Sequence, residues 1–212
     1  MELHVLNHPL VEHKLTVLRD KNTPSSTFRE LVSELVMLEA YEATRNLSVV
    51  AAPIETPVAP MTGKKLASPR PIIVPVLRAG LGMLDGMTRL IPTAEVGFLG
   101  MKRDEEHPTQ QVTYANRLPE DLSGRQCFLI DPMLATGGTL VAATHYLPSA
   151  AQGRDRDQHH RGPRRHQVRR GAHRPVHRLQ GRGVRGRRTL NDKCYIVPGL
   201  GDAGDRLYGV ID

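Results

Sequence analysis

CFLIDPMLATGGTLVAATHYL spans residues 127–147, and the fold turns on how it is read. Cys127–Ile130 is a short apolar run of strand length. LVAATHYL (residues 140–147) carries a helical pattern, and between the two lies a turn with two glycines. The stretch therefore predicts strand, loop, helix. Glycine lets backbone approach a ligand closely, and successive N–H groups at a helix start favour an anion. Thr136 and Thr139 add hydroxyl donors, and each bond to a charged phosphate is worth about 1.5–3 kcal/mol. Asp131, at the strand end, is an acceptor suited to sugar hydroxyls. The competing reading of ATGGT alone is an ordinary strand-to-helix turn.

The same texture extends outward. Ile72–Val76 is apolar and leads into Leu77-Arg78-Ala79-Gly80 and the helical pattern LGMLDGMTRL. Val96–Met101 predicts another strand, and Cys194–Val197 a last one before a glycine-rich turn. Short apolar strands alternating with helices imply an α/β fold, a parallel sheet covered on both faces. Ligands bind such sheets beyond the strands' carboxyl ends. The loops starting at Leu77, Asp131 and Pro198 should then open on one edge and share a site. Upstream, a helix starts at Pro9, with Leu10, Val11, Leu15 and Leu18 on one face. Thr27–Glu30 reads as a capping box opening a second helix through Phe28, Leu31, Val32, Leu35, Val36 and Leu38. Residues 53–71 read as a proline-rich connection. The polar arm 102–124 is long for a simple loop, and loops of that length are functional or mobile. The whole chain, 1–212, reads as one domain.

Several classes are excluded. Gly63-Lys64-Lys65 lacks the glycine spacing and the Ser/Thr of a nucleotide-binding P-loop. Gly199–Gly204 matches G-x-G-x-x-G, but only eight residues follow it, too few for the helix and strand of a dinucleotide-binding unit. Cys127 and Cys194 have neither metal-ligand nor disulfide spacing and read as buried thiols. The N-terminus has no signal-peptide pattern, and no apolar run is long enough to cross a bilayer, which predicts a cytoplasmic protein.

At this point the residues resemble a known family. An apolar strand, an acid and ATGGT are similar to the phosphoribosyl-pyrophosphate (PRPP) loop of type I phosphoribosyltransferases. Most of that class place two acids together; here Pro132 takes the second position, as in the DPMLATGGT of uracil phosphoribosyltransferases. The resemblance extends to YEATR, VPVLRAGLGM, MKRDE and YIVPGLGDAGDRLYG, in order, over roughly four-fifths of the chain. It implies the phosphoribosyltransferase fold with a polar β-arm or hood over the site. The implied reaction takes uracil and PRPP to UMP and pyrophosphate, with Mg²⁺ accompanying PRPP and no metal site of the protein's own. Asp131, Pro132, Met133, Leu134, Ala135, Thr136, Gly137, Gly138 and Thr139 would hold the 5-phosphate, with Asp131 on the ribose hydroxyls. Arg78 and Arg103 would meet the pyrophosphate end. Ile196, Gly201, Asp202 and Ala203 would read uracil, and Asp202 would also face PRPP, so that Asp131 and Asp202 carry the catalytic assignment. Homo-oligomers and a GTP effector are further implications. An RNA-binding regulator of pyrimidine genes on the same fold is the rival class.

Residues 148–188 do not fit. They hold 13 Arg, no Lys, 2 Asp and no Glu, a net +11, whereas the whole chain is +7; the remainder is therefore −4. Ile, Phe, Met, Tyr, Cys and Glu all vanish there, and only seven of 41 residues are apolar. The charge would permit a nucleic-acid arm, but no aromatic side chain is present for base stacking. A disordered linker is the second reading. The third, preferred here, is translation in a shifted frame, since the composition switches after Leu147 and reverts at Thr189, with the motifs on both sides intact. A chain carrying such a segment is expected to be unstable or inactive.

Overall fold

A computed structural model describes residues 4–103, 111–147, 189–191 and 195–209. Strand β3 (Ile72–Leu77) is the centre of the sheet. It runs parallel to β7 (Cys127–Ile130), with Ile72 opposite Cys127 and Pro75 opposite Ile130. On its other side it runs parallel first to β4 (Glu95–Val96) and then to β5 (Phe98–Arg103). β6 (Gln111–Arg117) returns antiparallel along β5. The polar arm is thus a β-hairpin; its tip lies outside the described residues.

Side chains alternate across a strand with period two, so β3 feeds two cores. Ile73, with Phe128 and Ile130 of β7, faces one layer of helices. This layer comprises α1 (Pro9–Arg19), α2 (Ser25–Ala43), α3 (Leu84–Leu90) and α5 (Ala203–Tyr208). Ile72, Val74 and Val76 face the other way, onto Leu140 and Ala143 of α4 (Gly138–Thr144). The expected parallel sheet with helices on both faces is what forms.

Three local expectations need correction. α2 starts at Ser25, two residues before the expected cap, and Pro24 is its N-cap without a side-chain bond. Thr27 therefore already lies inside the first turn, where its hydroxyl cannot play the N-cap part. The stretch read as a proline-rich connection holds a hairpin, β1 (Val49–Glu55) with β2 (Pro60–Leu66). Proline is compatible with a strand that has a free edge, and in a two-stranded ribbon every strand does. Finally, β9 (Ile196–Val197) pairs antiparallel with β8 (Thr189–Leu190), and among the described residues it does not join the central sheet. Cys127 is buried and free, as expected; Cys194 lies outside the described residues.

One residue breaks the pattern of α2. Glu39 is 6% exposed, on the face that carries Leu35 and Val36, and its Oε2 has no hydrogen-bond partner. Burial pushes its carboxyl up to about 8. The folded state therefore keeps a proton that the unfolded chain releases near the ordinary value of 4.5. Stability from this group is greatest at low pH, falls as pH climbs from 4.5 to 8, and is level above that. Glu39→Leu should raise the melting temperature at pH 8.5 by about 4–8 °C, and much less at pH 5. Melting curves across this range check it; a pH-independent difference would contradict the buried acid.

Candidate active site

The site is built where β3 and β7 end side by side. β3 delivers Arg78 and Ala79, and β7 delivers Asp131. The chain then leaves β3 through a 3₁₀ turn (Ala79–Met83) that presses against its neighbour. A Cβ on Gly80 would stand 2.5 Å from the Ile130 carbonyl oxygen, so only glycine permits this approach. The Arg78 and Asp131 loops are therefore locked together at backbone level. The Leu77–Arg78 peptide is cis.

The loop after β7 is pinned from beneath. Pro132 is buried, Met133 packs against the core of α1, α2, α3 and α5, and Leu134 packs against the core of α4. One apolar side chain goes to each layer, which leaves the backbone to line the surface. Gly137, at φ +80°, turns the chain into α4 in the left-handed region that glycine tolerates. The Thr136 hydroxyl accepts from the Gly138 N–H at 3.4 Å, and the Thr139 hydroxyl donates to Gln111 Oε1 at 3.5 Å. Gln111 opens β6 and stands opposite Arg103 in register. The backbone of Arg103 thus ends its strand beside the glycine loop. Tyr146 ties the arm down further, donating to the Thr113 hydroxyl at 3.0 Å.

Asp131 is half-buried, and Oδ1 accepts from the Met133 N–H at 3.5 Å. Burial pushes its carboxyl up to about 6, with the Met133 bond pulling the other way. Arg78 is exposed, while its carbonyl accepts from the Tyr208 hydroxyl at 3.1 Å. Tyr208 was not a sequence candidate. A tyrosine near a chain end has no local signal for a contact 130 positions away.

The third loop arrives by a different route from the one expected. The turn at Gly201-Asp202-Ala203 is carried by α5, which buries Ala203 and Leu207 among the helices. Asp202 caps α5, its Oδ1 accepting from the Asp205 N–H at 3.0 Å. Tyr208 at the end of the same helix reaches the Arg78 loop. The Arg78, Asp131 and Gly201–Ala203 loops thus belong to one connected region. Ile196 sits half-buried on the β8–β9 ribbon, outside the central sheet.

An anion cradle opening a helix, an acid at its entrance and an arginine on the adjoining loop suit a sugar that carries phosphate at two ends. The fold and this site define the type I phosphoribosyltransferase class. The sequence model of the family described as uracil phosphoribosyltransferase matches residues 5–155. The uracil phosphoribosyltransferases of Bifidobacterium longum strain DJO10A and B. longum subsp. infantis are 78% and 80% identical, each over the full length of both chains. That of Kineococcus radiotolerans is 58% identical, also over both full lengths. The solved structure of the AQ2163 protein from Aquifex aeolicus superposes with a TM-score of 0.74 at 31% identity, covering 99% of each chain. The chain belongs to the uracil phosphoribosyltransferase family, whose reaction joins uracil to the phosphoribosyl group of PRPP and releases pyrophosphate. The family match ends at 155, inside residues 148–188.

With the Asp131 carboxyl at about 6, the ionised form, which would accept from ribose hydroxyls in the expected role, is depleted as pH falls through that value. KM for PRPP should rise below pH 6, approaching about tenfold per pH unit, relative to Asp131→Asn. Taking the ratio cancels the titration of the substrate's own phosphate. A flat ratio from pH 5 to pH 8 would contradict the assignment.

Proposed function

We propose that the three loops divide the reaction between them. Backbone N–H groups of residues 135–139 and the hydroxyls of Thr136 and Thr139 hold the 5-phosphate. Pro132, Met133 and Leu134 keep that loop rigid from below, and Asp131 accepts from the ribose hydroxyls. Arg78 and Arg103 receive the pyrophosphate end. Ile196, Gly201 and Ala203 read uracil through backbone groups, and Asp202 faces PRPP. The interlock of Gly80 with the Ile130 carbonyl carries this reading, because it fixes the arginine loop and the phosphate loop at one separation.

Pyrophosphate departure leaves positive charge on the ribose ring, as in glycoside cleavage. The arginines stabilise the leaving charge, and the fixed loops bring the uracil nitrogen to the anomeric carbon. Mg²⁺ belongs here to the substrate, riding on PRPP and neutralising its pyrophosphate. The same reading includes a cytoplasmic homo-oligomer responsive to GTP. The described helices include none long and apolar enough to cross a membrane. The β1–β2 hairpin exposes Val50, Ile54, Val58 and Met61, an apolar surface of the kind that subunits cover.

Residues 148–188 are, in this reading, the product of a shifted frame. Their composition and the end of the family match within them support it. The neighbouring frame of the DNA should encode alternating apolar strands and an amphipathic helix; stop codons there would refute the idea. The frame-restored chain should make UMP from uracil and PRPP about 100-fold faster than the chain as written, because the loops otherwise lack their support. Equal rates would refute it as well. Asp202→Asn separates chemistry from folding in the active chain. Asparagine caps a helix as well as aspartate does, so the melting temperature should hold within about 2 °C. UMP formation should fall about tenfold or more if the carboxylate faces PRPP.

A further inference from the structure

Arg206 lies in α5, and none of the roles above uses it. Its guanidinium makes contacts in two directions. Nη1 donates to the carbonyls of Leu18 at 2.8 Å and Leu200 at 3.1 Å, and Nη2 donates to the carbonyl of Asp20 at 2.6 Å. Its Cζ stands 4.5 Å from the centre of the Phe28 ring. Leu18 and Asp20 belong to the end of α1, Asp20 being its C-cap, and Phe28 lies in the first turns of α2. Leu200 immediately precedes Gly201-Asp202-Ala203. One side chain therefore joins the near end of that turn to the corner between the first two helices.

The turn has reason to need this. Gly199 and Gly201 both take positive φ, at +44° and +81°, and glycine leaves a chain conformationally free unless something fixes it. The Arg206 stem also underlies the turn, with Cδ 3.8 Å from where a Cβ on Gly201 would stand. A planar fork can serve carbonyls on two sides while its face stacks on an aromatic ring; an ammonium cannot do both.

We infer that Arg206 is a positioning residue for uracil, holding the Leu200–Ala203 turn against α1 and α2 so that its backbone groups present one fixed edge to the base. This rests on the reading that the Gly201–Ala203 turn meets uracil. Preorganising a backbone edge lowers the ordering cost of binding. It should therefore show in uracil affinity and leave the PRPP half of the site unchanged.

Two variants and two measurements test it. Hydrogen exchange on the full chain should show Leu200, Gly201 and Ala203 amides exchanging faster in Arg206→Lys and faster still in Arg206→Ala. Amides of Ile72–Val76 should stay as protected as before. This arm needs no turnover, and the lysine variant serves if the alanine variant does not fold. In the chain that makes UMP, Arg206→Lys should raise KM for uracil about tenfold and leave KM for PRPP within about twofold. Unchanged turn amides in both variants would overturn the clamp, and so would KM values for the two substrates rising together. The reading beneath is tested separately, in the unsubstituted chain: uracil with PRPP should slow exchange at the turn. Without that slowing the uracil assignment of the turn fails, and the inference fails with it. Slowing in the unsubstituted chain, with turn amides unchanged in the variants, would overturn Arg206 alone.

Discussion

The site depends on two backbones meeting with nothing between them. Gly80 lies against the carbonyl of Ile130 because β3 and β7 are parallel neighbours in register and their carboxyl ends lie at the same edge, β3 running two residues further. A parallel pair puts the loops of both strands at one edge, but it does not bring them into contact. The missing Cβ does that. A methyl group there would have to push the 3₁₀ turn away from β7, taking Arg78 with it. The distance between the Arg78 loop and the loop after β7 is thus set by peptide groups, which are stiffer than side chains. For a reaction that depends on holding two ends of one substrate, stiffness at that point matters more than any single contact.

The third loop is held differently. The Gly201–Ala203 turn takes its position from the helices, because Ala203 and Leu207 enter the same core as α1 and α2. Arg29 of α2 reinforces this by donating to the Leu207 carbonyl of α5 at 2.7 Å, so these two helices close on each other. Tyr208 then connects this assembly to the Arg78 carbonyl. The Arg78 loop therefore has two supports, one from the sheet through Gly80 and one from the helices through Tyr208.

The features legible in the sequence were those written locally. Four apolar residues, an acid and ATGGT specify strand, acceptor and cradle without reference to anything distant, and the structure has them in that order. The alternation of Ile72–Val76 with helical patterns gave the two-faced sheet for the same reason. What could not be read depends on distant partners. Tyr208 looks like any tyrosine until α5 is packed, and Gln111 looks like a polar loop residue until β6 lies beside the glycine loop. The β1–β2 hairpin was hidden by its prolines, which argue against a central strand but not against an exposed ribbon. Glu39 falls on the buried stripe of its helix, but charge at such a position reads as surface. At the start of α2 a matching Thr and Glu three positions apart point to Thr27, whereas the helix starts earlier, after a proline, without a side-chain bond.

β7 bears on the remaining puzzle. All four of its residues are buried, and all are apolar. Among the described residues it pairs with β3 alone. Sheet edges in stable proteins are blunted by charge, proline, a bulge or a cover, because bare N–H and C=O groups invite aggregation. Cys-Phe-Leu-Ile has none of the first three and is the composition of a strand with neighbours on both sides. Between α4 and the next described strand, β8, lie residues 148–188. Seven apolar residues in 41, with 13 arginines, cannot supply a buried strand and the helix that crosses back to it. The sheet and the arginine-rich segment are therefore mismatched parts. The composition of β7 is that of an inner strand, and the composition of 148–188 is not that of a strand to lie beside it, which is a reason for the proposed frame shift separate from the family match.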